Sequence, residues 1–186
     1  LLVALASRNE LGASSFLFYL LAYTLMTLGA FGVVIALGRR GEPNETLPDL
    51  AGLGSRHPFL AAVMAVFMFS LAGVPPTAGF IGKFYIFSAA VEAGLGWLAV
   101  VMVLASVISV YYYLKVTVAM YMWDPAQGVA RLRAHPLLVT ALVVALLGVL
   151  QMGIYPGPII DLAGRSVEGI VAAVGDGDAM GDLPGP

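Results

Sequence analysis

The sequence predicts an all-α polytopic membrane protein, a bundle of transmembrane helices in which one span is discontinuous. Hydrophobic residues make up 60% of the 186 and charged residues only 11%, against roughly 25% charged in an ordinary soluble domain. The apolar residues gather in runs of about 20 or more, the length of one helical crossing. A soluble core of this size cannot hide them all, so lipid must cover the excess. One run is also cut in its middle by Gly73-Val74-Pro75-Pro76-Thr77-Ala78-Gly79.

Leu1 to Ala6 read as the tail of a preceding span, closed by the polar Ser7-Arg8-Asn9-Glu10-Leu11-Gly12, so that residues 1–12 form a span end and an outer loop. The opening Leu1-Leu2-Val3 has no charged region before it and does not read as a signal peptide; the chain is expected to be a C-terminal fragment that starts inside a running helix. Residues 13–37 carry no charge and form a span. Residues 38–57, with Arg39, Arg40, Glu42, Pro43, Pro48, Asp49 and Arg56, form a polar loop.

Residues 58–93 are longer than one straight span needs, and the break falls near 73–79. Proline removes a backbone donor and clashes with the preceding turn, so the helix should end near Val74 and resume around Pro76, where proline suits a first turn. Residues 97–122 are the next span, 123–135 a loop with Arg131, Arg133 and His135, and 136–156 the last span. Residues 157–186 form an acidic tail. Within it, Ile159 to Val174 is weakly amphipathic, a short helix for the membrane surface or a partner subunit, and the final dozen residues, rich in Gly and Asp, should be disordered.

Lys and Arg hold short loops on the cytoplasmic side. Placing both 38–57 and 123–135 there requires an even number of crossings between them. One broken crossing over 58–93 plus the span 97–122 satisfies this; two short spans would not. The scheme is that of a multi-pass membrane protein with its acidic tail outside.

A net charge of -2 leaves no basic surface for nucleic acid. The absence of cysteine excludes disulfides and cysteine-held clusters or zinc in this chain. The residues show no metal site and no catalytic or cofactor-binding motif of their own.

The informative residue is Lys83. Unpaired backbone groups cost several kcal/mol each in hydrocarbon, so a helix breaks at membrane depth only beside protein or a wet cavity, and such breaks mark ion or substrate sites. The break residues are Gly73, Pro75, Pro76 and Gly79. Lys83 follows them, and a lysine at bilayer depth costs about 2.5–3.5 kcal/mol on insertion scales, so it needs polar company. Gly79 and Gly82 leave that side of the helix thin enough for close approach. A lysine held out of water can serve as a general base, the chemistry of a proton relay; the competing reading is an anchor that snorkels to the interface.

Secondary candidates for proton translocation are Lys115, His57 and Glu92, each close enough to a span end to be simply wet. Ser106, Ser109, Tyr113 and Thr117 recur at spacings of three and four, a polar stripe along one helix that either lines water or bonds to neighbouring helices. Tyr19, Tyr23, Thr24 and Thr27 are open to packing or path, and Gly29 and Gly32 look like helix contacts.

The run Phe69-Ser70-Leu71-Ala72-Gly73-Val74-Pro75-Pro76-Thr77-Ala78-Gly79-Phe80-Ile81-Gly82-Lys83-Phe84-Tyr85 closely resembles the antiporter-like membrane subunits of bacterial NADH:quinone oxidoreductase, respiratory complex I. Phe18-Tyr19-Leu20-Leu21-Ala22-Tyr23, Asp49-Leu50-Ala51-Gly52-Leu53-Gly54 and Tyr111-Tyr112-Tyr113-Leu114-Lys115 support the resemblance in order along the chain. It implies a fold of two inverted repeats, of which this chain would hold most of the second. It also implies that Lys83 is the lysine of the second broken helix, on the half-channel opening outward. NADH, FMN, iron–sulfur clusters and quinone would belong to partner subunits, and the neighbours would be other membrane subunits, antiporter-like ones among them, and the lipid bilayer. Multisubunit cation/proton antiporters share the broken helix and lysine and are the alternative; a scaffold without an ion path is the third reading.

Overall fold

In a computed structural model the described residues are 1–38, 46–124 and 135–181, with side chains described through residue 173. All regular elements among them are helical: α1 (Leu2–Ser7), α2 (Glu10–Leu37), a 3-10 turn (Leu47–Leu50), α3 (Leu53–Arg56), α4 (Pro58–Ala72), α5 (Ala78–Glu92), α6 (Gly96–Met122), α7 (Pro136–Ile154) and α8 (Gly157–Gly181). Arg39, Arg40, Arg131 and Arg133, on which the expected loop sidedness rests, lie outside the described residues, as does Asp182.

Caps, more than charges, set the helix boundaries. α2 begins at Glu10, three residues ahead of position 13, because Asn9 is extended and its Oδ1 accepts the Gly12 N–H at 2.7 Å. Glu10 then sits at the positive end of the helix dipole. The same Asn9 donates through Nδ2 to the Ala89 carbonyl at 3.2 Å, fastening the start of α2 to the end of α5. α8 runs past Val174 to Gly181, longer than the short amphipathic segment read from the sequence; the tail expected to be disordered is therefore helical over its first part.

α2, α6 and α7 are long and apolar enough to cross a membrane, and α4 is a shorter apolar helix. α4 and α5 are two shorter helices separated by the break. α5 ends beside the start of α6, joined by a turn in which Gly94 adopts φ 73° and Leu95 N–H returns to Ala90 O at 2.8 Å. At the other end, the Gly52 N–H donates to Ala119 O at 3.3 Å, placing the segment before α4 against the end of α6. The pair thus runs antiparallel to α6 from one end to the other. Each half has 15 residues, about 22 Å of helix, so the two together are long enough to cross a hydrocarbon core about 30 Å thick with the break inside it.

The core is built on α2, which packs against α4, α5, α7 and α8. Phe18, Ala22, Met26 and Val33 of α2 are buried together with Val63 and Phe67 of α4 and Val149 and Met152 of α7. Gly29 admits the Phe67 ring and Gly32 the Leu142 side chain. α6 differs: Ala99, Ala119 and Met120 are its buried residues, while Leu104, Val107, Ile108 and Tyr111 face outward. Such an apolar exterior is the mark of a helix that lipid or another membrane segment covers.

Candidate functional site

The site grows out of the way α4 stops. Gly73 turns left-handed at φ 90°, a conformation that costs glycine nothing. Val74 N–H then reaches back to Phe69 O at 2.9 Å and Gly73 N–H to Ser70 O at 3.0 Å, the two bonds of a Schellman stop. A helix leaves its last four carbonyls without intrahelical partners, and this stop satisfies those of Phe69 and Ser70. The other two belong to Leu71 and Ala72. Lys83 Nζ donates to both, at 2.9 Å and 3.1 Å. The polar company that a lysine at this depth requires is therefore backbone, supplied by the break itself.

The restart is held by a separate set of contacts. α5 begins at Ala78, not at Pro76, because Thr77 takes the extended cap conformation (φ -115°, ψ 158°) after a cis Pro75–Pro76 bond. Thr77 Oγ1 donates to Val74 O at 2.7 Å, and Gly79 N–H donates to the fully buried Ser70 Oγ at 3.1 Å. Gly79 faces the Ser70 backbone at a separation no side chain tolerates, and Gly153 of α7 lies as closely on Pro76 and Thr77. Gly79 and Gly82 thus allow the close approach of neighbouring helices. They bring α5 against α4 and against the Tyr19 ring of α2.

Lys83 is half-buried and borders a cavity of about 220 Å³ whose polar wall is Tyr19 of α2 and Ser106, Ser109 and Tyr113 of α6. On its other flank an apolar cleft of about 400 Å³ runs between α5 and α6, lined by Phe80, Phe84 and Phe87. At a rise of 1.5 Å per residue, Tyr19, Lys83 and Ser106 each lie roughly 13–15 Å from the neighbouring ends of α2, α5 and α6. Three helices therefore deliver these groups to one level. Tyr23 and Thr27 line a further cavity, while Thr24 Oγ1 turns back on Leu20 O at 2.8 Å.

The remaining candidates are not brought to Lys83. Thr117 continues the α6 spacing but lines neither cavity described here, and its buried Oγ1 has no hydrogen-bond partner among the described residues. Lys115 is exposed on α6, Glu92 is exposed at the last position of α5, and His57 is the half-buried residue preceding α4. Pattern reading did not single out Ser70, whose buried hydroxyl holds the restart of α5; its signal was a lone hydroxyl inside the apolar run that leads into the break.

Residues 1–109 match the family described as NADH:quinone oxidoreductase/Mrp antiporter, TM. NADH-quinone oxidoreductase subunit N of Trichlorobacter lovleyi is 51% identical over 167 residues, 90% of this chain and 34% of the relative. NADH-quinone oxidoreductase subunit N 2 of Roseiflexus castenholzii is 51% identical over 161 residues, 87% of this chain and 32% of the relative. The chain spans about a third of the length of the curated relatives it matches. Among solved structures, respiratory complex I from Thermus thermophilus with bound aureothin superposes with a TM-score of 0.74 at 34% identity, covering 86% of this chain and 35% of that one. The Mrp complex from Dietzia sp. DQ12-45-1b superposes with a TM-score of 0.76 at 21% identity, covering 88% and 39%, a likeness of fold. With the break, Lys83 and half of α6 inside the matched region, the chain belongs to the NADH:quinone oxidoreductase/Mrp antiporter transmembrane family.

Proposed function

We propose that this chain is part of a proton-translocating membrane subunit of an NADH:quinone oxidoreductase, in which Lys83 takes up and releases protons while redox chemistry proceeds in partner subunits. NADH, FMN, iron–sulfur clusters and quinone belong to those partners, and other antiporter-like subunits flank this one in a bacterial inner membrane. The basic loops face the cytoplasm, which puts the start of α4 on that side. The 51% identity to relatives named as quinone oxidoreductase subunits favours this over a component of a cation/proton antiporter, whose fold is shared.

The observation that carries the proposal is the pair of hydrogen bonds from Lys83 Nζ to Leu71 O and Ala72 O. An ammonium has three N–H donors, and the neutral amine keeps two. Two donors are taken by the carbonyls, so the third proton can leave without baring either one. The amine also stands at the negative end of the α4 dipole, which stabilises the cation. The polar cavity supplies the groups that receive the proton, since each hydroxyl both donates and accepts.

Lys83→Arg tests this. Guanidinium can still bond both carbonyls and keeps the charge, but it does not deprotonate in proteins. NADH-driven proton pumping by membrane vesicles should fall at least about tenfold with the complex still assembled. Pumping at the parental rate would remove protonation cycling at this position.

A further inference from the structure

The apolar cleft between α5 and α6 carries a charge in its wall. Besides the three phenylalanines of α5, it is lined on α6 between Met102 and Val110, about 12 Å of helix. Phe84 on one side and Val107 on the other are each more than half exposed, so the cleft opens on the exterior of the bundle. Ala72 and Gly73, where α4 stops, belong to the same wall. The Lys83 amine lies against them: Nζ donates to Ala72 O at 3.1 Å and would stand 3.3 Å from a Cβ at Gly73.

The cleft's volume of about 400 Å³ suits a small ligand, and ligand sites combine an apolar lining with a few placed polar groups. Here those groups are Lys83 and Ser106. Among the described residues, no Asp or Glu lines this cleft or the cavity on the other flank of Lys83. The cation is therefore met by backbone carbonyls and by no anion. A hydrocarbon tail gains little by leaving lipid for the cleft, since both are apolar. Selection between occupants falls to the head group, and an ammonium with one N–H to spare favours a negatively charged acceptor.

We propose that the cleft binds a long-chain carboxylic acid, with its tail along Phe80, Phe84 and Phe87 and its carboxylate on Lys83. An ionised carboxylate crosses hydrocarbon only at a high energetic cost, so the acid enters from the lipid in its protonated form. Its O–H proton passes to the neutral Lys83 amine, and the carboxylate left behind accepts the new N–H. One O–H bond breaks, one N–H bond forms and no net charge enters. Both ions are then hydrogen-bonded, the ammonium to Leu71 O and Ala72 O and the carboxylate to Nζ–H and the Ser106 hydroxyl. That is the condition under which a buried ion pair holds together.

This site goes beyond the pumping role and is tested without NADH. The purified complex in lipid nanodiscs is irradiated with a hexadecanoic acid that carries a mid-chain diazirine and a terminal alkyne, and the labelled peptides are mapped. Label should fall between Phe80 and Val110. Excess hexadecanoic acid should displace it, whereas methyl hexadecanoate, with the same tail and no acidic proton, should not. Lys83→Met should lower labelling per assembled complex at least about fivefold, the scale of removing one partner of a buried charge pair. Val107→Trp, which fills the cleft from its exposed side and leaves the amine in place, should lower it comparably. Displacement by the ester as well as by the acid would mark a groove for neutral acyl chains, and absence of label a cleft covered by protein; either overturns the proposal. A smaller loss in Lys83→Met, or full labelling of Val107→Trp, overturns it too. None of these outcomes bears on pumping by Lys83→Arg, so the acid site and the proton relay stand or fall separately.

Discussion

Lys83→Met is expected to abolish proton pumping while leaving the complex assembled. The two energetic consequences of the substitution oppose each other. Removing an amine from bilayer depth relieves about 2.5–3.5 kcal/mol on insertion scales. Leaving the Leu71 and Ala72 carbonyls without a donor costs about 1–3 kcal/mol each. These terms offset to within a few kcal/mol, so the fold survives and the loss falls on proton transfer. Proton uptake by everted vesicles on addition of NADH, normalised to the complex seen in native gels, reads this directly. Pumping at more than about half the parental rate would leave Lys83 a packing residue.

Gly79→Ala should act on the opposite property, assembly. A Cβ at Gly79 would fall inside the contact distance of the Ser70 carbonyl oxygen and stand 2.7 Å from its carbon. Both atoms are backbone, so no rotamer change relieves the overlap. Separating the helix ends would also break the bond from Gly79 N–H to Ser70 Oγ. Overpacking of this kind costs about 3 kcal/mol or more, a large share of the 5–15 kcal/mol that holds a folded protein together. The yield of assembled complex and its thermal midpoint in detergent should both drop. Gly96→Ala is the control, because nothing lies within 4 Å of its Cβ position, and it should be neutral.

What could be read in the sequence follows from what the bilayer demands. Spans were legible because lipid requires long apolar runs, and the break because Gly73 and paired prolines cannot continue a helix. Boundaries were less legible: Asn9 and Thr77 set the starts of α2 and α5 through backbone conformation, which hydropathy does not register. The partner of Lys83 was not legible at all, since the Leu71 and Ala72 carbonyls carry no signature in the one-letter string. Ser106, Ser109 and Tyr113, grouped by spacing, share one cavity wall. Thr117 kept the spacing but not the surroundings, because α6 beyond Tyr113 packs on α3 and α4 and buries Ala119 and Met120. Gly153 drew no notice, because the Pro76 and Thr77 backbone it accommodates belongs to a distant part of the chain.

The most direct measurement exploits the absence of cysteine in this chain. In Lys83→Cys the thiol can be converted to a disulfide-linked aminoethyl group, a titratable primary amine, or to a trimethylammonioethyl group, a fixed cation with no N–H. Pumping is followed in vesicles treated with each reagent, with the parent complex treated in parallel. The amine is expected to restore proton transfer and the fixed cation is not. Equal recovery with the permanent cation would show that position 83 needs only positive charge, and proton exchange at the helix break would have to be abandoned.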